Sequence, residues 1–118
     1  MNKPISLFRG DSSDLVSVRP NLKEPTETIS SDWICRTMLV DSSGVEIIAS
    51  RIENVKSEDG LTFIISLSPA DTLAITVGVD QKYTTVDWVV QLSNDQLVPA
   101  YSKEKRLKIL VREQAIIA

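Results

Sequence analysis

Hydrophobic and polar residues alternate along most of this chain, as they do in half-buried β-strands. In DWICRTMLV, residues 32–40, the alternation predicts a strand with every second side chain from Trp33 to Leu39 on one face and those between them on the other. YTTVDWVVQLS, residues 83–93, predicts a longer strand of the same kind. Its inward side chains are predicted to be Val86, Trp88, Val90 and Leu92. Further strands are predicted at residues 5–7, 15–18, 45–52 and 61–68, with one or two more across 97–102 and 106–112.

Turn and capping signals separate these strands. DSSG at residues 41–44 and SEDG at residues 57–60 combine polar residues with glycine, as tight turns do. One short helix is predicted to begin after Ser68, because Pro69 suits the first helical position and Asp71 completes a capping box. The side chains of this helix that face the core are predicted to be Ala70, Leu73, Ala74 and Val77.

These elements predict an all-β fold, an antiparallel Ig-like β-sandwich of seven to eight strands with one short crossover helix between the sheets. The chain has 118 residues, close to the common domain size, so a single domain over residues 1–118 is expected. Trp33 is a candidate for the buried core tryptophan of such a sandwich, and the sequence leaves open whether it lies in the core or on the surface. The pair of cysteines that marks many Ig domains is missing, since Cys35 is the one cysteine of the chain.

Composition excludes several kinds of chemistry. The chain contains no histidine, so neither a Ser-His-Asp nor a Cys-His nucleophile can be built. Cys35 cannot form an intramolecular disulfide or a zinc site by itself, and no phosphate-binding loop occurs. The sequence therefore predicts no catalytic residues, no metal ligands and no cofactor, and the protein is not expected to be an enzyme.

Charge and hydropathy limit the partners. The formal net charge is −3, which disfavours broad nucleic-acid binding. The longest apolar runs are far shorter than a membrane span, and the first residues lack the apolar segment of a secretion signal. We therefore expect no nucleic acid and no membrane among the partners, and folding in a reducing cytoplasm.

The acidic residues offer two close pairs, Asp11 with Asp14 and Glu58 with Asp59. Both pairs are predicted to serve turns and caps, because spacing in sequence does not show two carboxylates facing each other across a cleft. A calcium site formed by Asp11, Asp14 and Asp41 is a less favoured alternative, since the regular spacing of a calcium-binding loop is absent.

Two segments near the carboxyl end are candidates for partner contacts. KEKRLK holds the cluster Lys103, Lys105, Arg106 and Lys108. This cluster either binds phosphate or an acidic partner, or blocks unwanted pairing at a strand edge, and we favour the second interpretation. In REQAIIA, Ile116 and Ile117 either close a sheet or dock on a neighbouring chain.

The tetrapeptide Arg9-Gly10-Asp11-Ser12 matches a cell-adhesion signal. Adhesion needs this sequence at the tip of an exposed loop, whereas here it follows an apolar strand. We predict a local structural role instead, in which Gly10 adopts a backbone angle that is closed to other residues. Arg9 is then expected to be a solvated charge at the end of the strand.

Several motifs follow one another over nearly the whole chain: FRGDS at residues 8–12, EDG at 58–60, LSPADTLAITVG at 67–78, WVVQL at 88–92 and RLKILV at 106–111. Their order resembles the small Ig-like β-sandwich modules of tailed-phage virion proteins, such as the N-terminal domain of baseplate upper proteins. Val89 departs from the family pattern by replacing the usual Asp, and the long loop at 20–31 replaces a more compact segment.

The resemblance implies a structural or assembly protein of a phage or prophage particle, in the tail, baseplate or neck. Its partners would be other phage structural proteins, with a homo-oligomer as a further expectation. It would be made in the host bacterial cytoplasm and carried in the virion. The alternative is a module that binds a host receptor or glycan through a stacking platform of aromatic rings, if these are exposed: Trp33, Trp88, Tyr83 and Tyr101.

Overall fold

Two β-sheets and one short helix make up residues 5–113, the part of the chain that the structure, a computed structural model, describes. Five strands form a large sheet in the order β1–β7–β6–β3–β4, and β2 pairs with β5 in a small antiparallel sheet. The elements are β1 Ile5–Phe8, β2 Val16–Val18, β3 Ile34–Asp41, β4 Glu46–Ile52, β5 Phe63–Ile65, α1 Pro69–Leu73, β6 Tyr83–Asn94 and β7 Tyr101–Arg112.

The fold is all-β, as the alternation predicts. The helix follows β5 of the small sheet and precedes β6 of the large one, so it connects the two sheets. The large sheet is mixed rather than wholly antiparallel, because β1 runs parallel to β7. These two strands come from opposite ends of the described chain and are not joined by a tight hairpin. They can therefore pair in either the parallel or the antiparallel direction. The small sheet has two strands, and a closed sandwich stays a prediction.

One face of the large sheet, here called the inner face, carries the hydrophobic core. Trp88 lies on this face beside Leu39, and both are 1% exposed. Side chains from the small sheet join the same cluster, so both sheets share one core. The predicted shared face of β3 and the predicted inward positions of β6 are confirmed: Trp33, Cys35, Thr37, Leu39, Val86, Trp88, Val90 and Leu92 are all buried.

Two predicted strands have different bounds in the structure. The segments at 97–102 and 106–112 form the single strand β7, which begins after Pro99. The strand predicted at 61–68 shortens to Phe63–Ile65. Beyond it, the backbone of Leu67 bonds to Ser13 rather than to a strand: Ser13 N donates to Leu67 O over 2.9 Å, and Leu67 N donates to Ser13 Oγ over 2.7 Å.

The predicted capping box of α1 is confirmed. Ser68 N donates to Asp71 Oδ2 over 2.8 Å, and Asp71 N donates to Ser68 Oγ over 3.2 Å. The predicted inward face is wrong at three of its four positions, since Val77 is buried but three residues are exposed: Ala70, Leu73 and Ala74. A helix of five residues is too short to present a continuous apolar stripe, and Thr72 and Ile75 take the buried positions instead.

The Arg9-Gly10-Asp11 segment is fastened to α1. Gly10 has a φ of 88°, which side chains disfavour, and its N–H donates to Thr72 Oγ1 over 2.9 Å. The same hydroxyl donates to Asp11 O over 2.8 Å. Arg9 differs from the expected solvated charge, because it donates to Leu73 O over 2.8 Å and pairs with Glu113 at 3.2 Å. The predicted structural role of Gly10 is therefore confirmed.

Candidate functional site

The first two thirds of β7 form an open sheet edge. β6 pairs with β7 along its whole length, from Tyr101 to Arg112. On the other side, β1 pairs only with residues 109–112. No other strand of residues 5–113 pairs with Tyr101–Lys108 on that side. We call this side of Tyr101–Lys108 the β7 edge.

The backbone of the β7 edge alternates in direction. Arg9 N donates to Arg112 O over 2.8 Å, so the carbonyl of Arg112 points away from β6. Because successive residues of a strand point opposite ways, every second residue before Arg112 also turns its N–H and C=O toward the open side. These residues are Ser102, Glu104, Arg106 and Lys108. They offer a row of donors and acceptors of the kind that another strand can pair with.

Two lysines of the predicted cluster project from the inner face beside this edge. Lys103 pairs in register with Leu92, and Lys105 pairs with Val90, both of which are core positions of β6. The lysine side chains nevertheless stay exposed, because they lie at the border of the sheet. Neither lysine forms an ion pair with any residue that the structure describes.

Tyr101 anchors the beginning of the edge. Its ring meets Trp33 edge-on, with 5.0 Å between the ring centroids, and its hydroxyl accepts a hydrogen bond from Asn21 N at 3.3 Å. Lys103 Nζ lies 5.6 Å from the centroid of the same ring, within the range of a cation–π contact. The loop after β2 is thereby held close to the inner side of the edge.

A cavity of about 390 Å³ lies between this loop and the edge. Arg19 forms part of its wall and contributes a third positive charge. Its guanidinium donates to Leu61 O over 2.5 Å and to Glu24 O over 2.8 Å, so two carbonyl groups fix its position. The cavity is lined by Arg19, Pro20, Asn21, Leu22, Tyr101, Lys103 and Lys105.

The other two cations of the cluster lie on the outer face and have acidic partners. Lys108 Nζ is 2.6 Å from Asp87 Oδ1, and Arg106 Nη1 is 3.3 Å from Asp87 Oδ2. Arg106 also lies 3.5 Å from Glu104. The hydrogen bond from Lys108, with a smaller contribution from Arg106, lowers the pKa of the Asp87 carboxyl. The cluster read as one patch in the sequence is therefore split between two faces.

The remaining predicted positions are placed as follows. Ile116 and Ile117 lie outside the described residues. Asp59 serves its turn, since its Oδ1 accepts from Ser57 Oγ over 2.6 Å and from Leu61 N over 3.1 Å. Asp41 does the same in its own turn, where Oδ1 accepts from the backbone of residues 43 and 45.

The described residues contain neither a cluster suited to a metal ion nor a helix suited to a membrane. Across residues 5–113, no group of three or more Cys, Asp or Glu residues is arranged to hold a metal ion. In the same part of the chain, no helix is long and apolar enough to span a membrane.

The opposite border of the large sheet, β4, is less regular. Its pairing with β3 contains two register shifts, between Thr37 and Leu39 and between Leu39 and Val40. Such irregularities bend and twist a strand and hinder its pairing with another chain. Ile52, at the end of β4, is 55% exposed. The β7 edge keeps a one-to-one register throughout and is the better template for an added strand.

Sequence reasoning missed Arg19 and the contact role of Tyr101. Arg19 precedes a long polar loop, and nothing in that loop indicates which distant strand it covers. Tyr101 was considered only as a ring of a stacking platform, whereas its hydroxyl and ring edge hold the loop against β7. Neither contact has a local sequence signal, because the paired residues are far apart along the chain.

Comparisons with protein-family models, with curated proteins and with solved structures found no match to this chain.

Proposed function

We propose that this protein is a structural or assembly component of a phage or prophage particle and acts by binding other proteins through the β7 edge. The observation that carries the proposal is the regular backbone of Tyr101–Lys108, which within residues 5–113 has a neighbouring strand on the β6 side only. A strand edge of this length is a template for another chain. Edge charges such as those of β7 hinder nonspecific pairing but do not prevent pairing with a partner of complementary charge.

Edge pairing suits a structural protein. Each backbone hydrogen bond contributes only about 0.5–1.5 kcal/mol, but a strand that pairs along the whole edge forms several of them in one fixed register. The contact then positions the partner as well as binding it, which is what an assembly requires. The charged side chains along β7 disfavour aggregation through the edge before a partner binds.

The assignment to a phage particle is supported by the succession of motifs from FRGDS to RLKILV. In the tail, baseplate or neck of such a particle, the partners would be other structural proteins of the virion or further copies of this chain. Assembly would take place in the host bacterial cytoplasm.

The alternative of a stacking platform for a receptor or glycan has less support. Trp33 and Trp88 are 5% and 1% exposed, so their rings are core rather than surface. Tyr101 is held by Asn21 and Trp33, and among the four rings Tyr83 has the most exposed side chain, at 53%. A single exposed ring does not make a platform.

Co-expression with the products of the flanking genes tests the proposed function. The protein is purified, and its complexes are sized by size-exclusion chromatography with light scattering. We expect a defined complex with at least one flanking product, and flanking genes that encode tail or head proteins. A protein that stays monomeric and binds none of these products contradicts the proposal.

A matched pair of variants then tests the role of the edge. Glu104→Pro removes an N–H that points to the open side while leaving the bonds to β6. Glu104→Ala removes the same side chain and keeps that N–H. We expect Glu104→Pro to lose the complex and Glu104→Ala to retain it. Loss in both variants, or in neither, would place the contact elsewhere.

A further inference from the structure

We propose that the β7 edge binds an acidic, extended segment of the partner, in which carboxylates at positions i and i+2 meet Lys105 and Lys103. The segment would lie beside Tyr101–Lys108, in the position that β1 occupies beside the rest of β7. This inference rests on the proposed function, and it adds the chemistry by which the partner is recognised.

The distribution of charge on β7 selects an acidic partner. On the outer face, Arg106 and Lys108 are paired with Asp87. On the inner face, neither Lys103 nor Lys105 forms an ion pair with a carboxylate of residues 5–113. Arg19, which also lines the cavity, lies close enough to Asp59 to contribute to the lowered pKa of that carboxyl. Two lysine charges without an ion-pair partner in this part of the chain therefore face the same side of the edge, where an incoming strand places every second side chain, and Arg19 lies beside them.

Strand geometry sets the spacing of the acidic residues. Lys103 and Lys105 are two positions apart in β7, so they project from one face about 7 Å apart. An added strand has the same repeat, and its side chains at i and i+2 lie opposite them. The recognition element is therefore an acid-x-acid pattern. The residue between the two acids points to the outer face, where the charges are already balanced.

The cavity provides space for these side chains. It has a volume of about 390 Å³ and opens beside Tyr101, Lys103 and Lys105. Arg19 lines the cavity and is held by two carbonyl groups, so a carboxylate that enters meets a guanidinium already in position. A strand with aliphatic side chains at these positions would place them against three cations.

The same charges disfavour a second copy of the β7 edge as the occupant. Two such edges paired with each other would place basic side chains of one inner face close to those of the other, and like charges across a strand pair are destabilising. The net charge of −3 disfavours a nucleic acid. An acidic segment of a different protein fits both the backbone and the charge of the site.

The test uses the full chain and two synthetic peptides of eight residues. One peptide alternates Glu with Thr, and the other has Gln in place of every Glu. Binding is measured by calorimetry at low salt, and the contact is located by the amide shifts of ¹⁵N-labelled protein. We expect the Glu peptide to bind about tenfold more tightly than the Gln peptide, because each exposed ion pair contributes at most about fivefold. The largest amide shifts are expected at Ser102, Glu104 and Arg106.

Two double variants, each of which removes two positive charges, provide the comparison. Lys103→Gln with Lys105→Gln is expected to bring the two peptides to nearly equal affinity. Lys82→Gln with Arg112→Gln removes the same charge at the other end of the sheet, where β6 begins and β7 ends, and is expected to keep the preference for Glu. Thermal unfolding checks that both variants are folded.

Several outcomes would overturn the inference. These are equal binding of the two peptides by the unaltered protein, no binding of either, or amide shifts confined to other strands. A dimer of the protein that Glu104→Pro abolishes would identify a second copy as the occupant and would also overturn it. If the protein still forms a complex with a flanking gene product in any of these cases, the inference fails while the proposed function stands.

Discussion

Arg51 of β4 and Asp71 of α1 form a bidentate ion pair that fastens the border of the large sheet to the helix. Nη1 lies 2.9 Å from Oδ1, and Nη2 lies 2.7 Å from Oδ2. Asp71 Oδ2 also accepts from Ser68 N, so one carboxylate both caps the helix and binds the sheet. Arg51 Nε donates to Glu53 over 3.0 Å, which fixes the guanidinium in the plane that the pair requires.

We expect Asp71→Asn to lower the free energy of unfolding by about 1–2 kcal/mol, because it removes the negative charge and one acceptor oxygen of the bidentate pair with Arg51. Arg51→Gln should cost a similar amount, and the double variant should cost clearly less than the sum of the two. Urea denaturation measures all three. Arg106→Gln is the control, because that side chain is 53% exposed and its pair is worth about 0–1 kcal/mol. If the free-energy losses of Arg51→Gln and Asp71→Asn simply add in the double variant, the two side chains are not energetically coupled.

The same pair predicts how stability changes in acid. The hydrogen bond from Arg51 lowers the pKa of the Asp71 carboxyl below its ordinary value of 3.8. A carboxyl with a lowered pKa in the folded state contributes stability above its unfolded pKa and loses it as the pH falls through the folded value. We therefore expect stability to decline below about pH 4. Asp71→Asn should flatten this decline in urea titrations between neutral pH and acid, and an unchanged slope would exclude Asp71 as its source.

Strand alternation could be predicted from the sequence because the period of two is fixed by the backbone. This period gives the buried faces of β3 and β6. It also divides the basic cluster of β7 between the two faces of the sheet. Lys103 and Lys105 lie an even number of residues from the core residue Ile109 and share its face of the strand. Arg106 and Lys108 lie an odd number of residues from Ile109 and project from the other face. The four charges are close in sequence and form one predicted cluster, favoured as a block to edge pairing, but the alternation divides them between two faces.

The open edge itself has no signal in the sequence. Within the described residues it arises because β1, Ile5–Phe8, pairs only with residues 109–112, and this register joins residues about a hundred positions apart. The face of α1 was mispredicted for a related reason. The helix is so short that its burial is decided by the hydrogen bonds of Thr72 with the distant segment at Gly10 and not by an apolar period.

Cys35 is expected to be chemically inert in the folded protein. Burial, with a smaller contribution from the charge of Glu53, raises the pKa of its thiol to about 11. At pH 8 the reactive thiolate is then scarce, and the sulfur is out of reach of solvent. We expect no reaction with a disulfide reagent such as Ellman's reagent in buffer, and one thiol per chain in denaturing urea. Full reaction of the folded protein at the rate of a small thiol would contradict this burial.

Thr72 is expected to hold the first strand to the helix, and Thr72→Val tests this with little change of shape. The hydroxyl is fully buried, accepts from Gly10 N and donates to Asp11 O. The valine would leave a backbone donor and a backbone acceptor without these bonds, at a cost of about 1–3 kcal/mol. Thr76→Val makes the same change at an exposed position and is expected to stay within about 0.5 kcal/mol of the unaltered protein. Chemical denaturation compares the two variants, and hydrogen exchange at Gly10 should quicken only in Thr72→Val. Equal stabilities would mean that the segment is held by Arg9 and Ser13 instead.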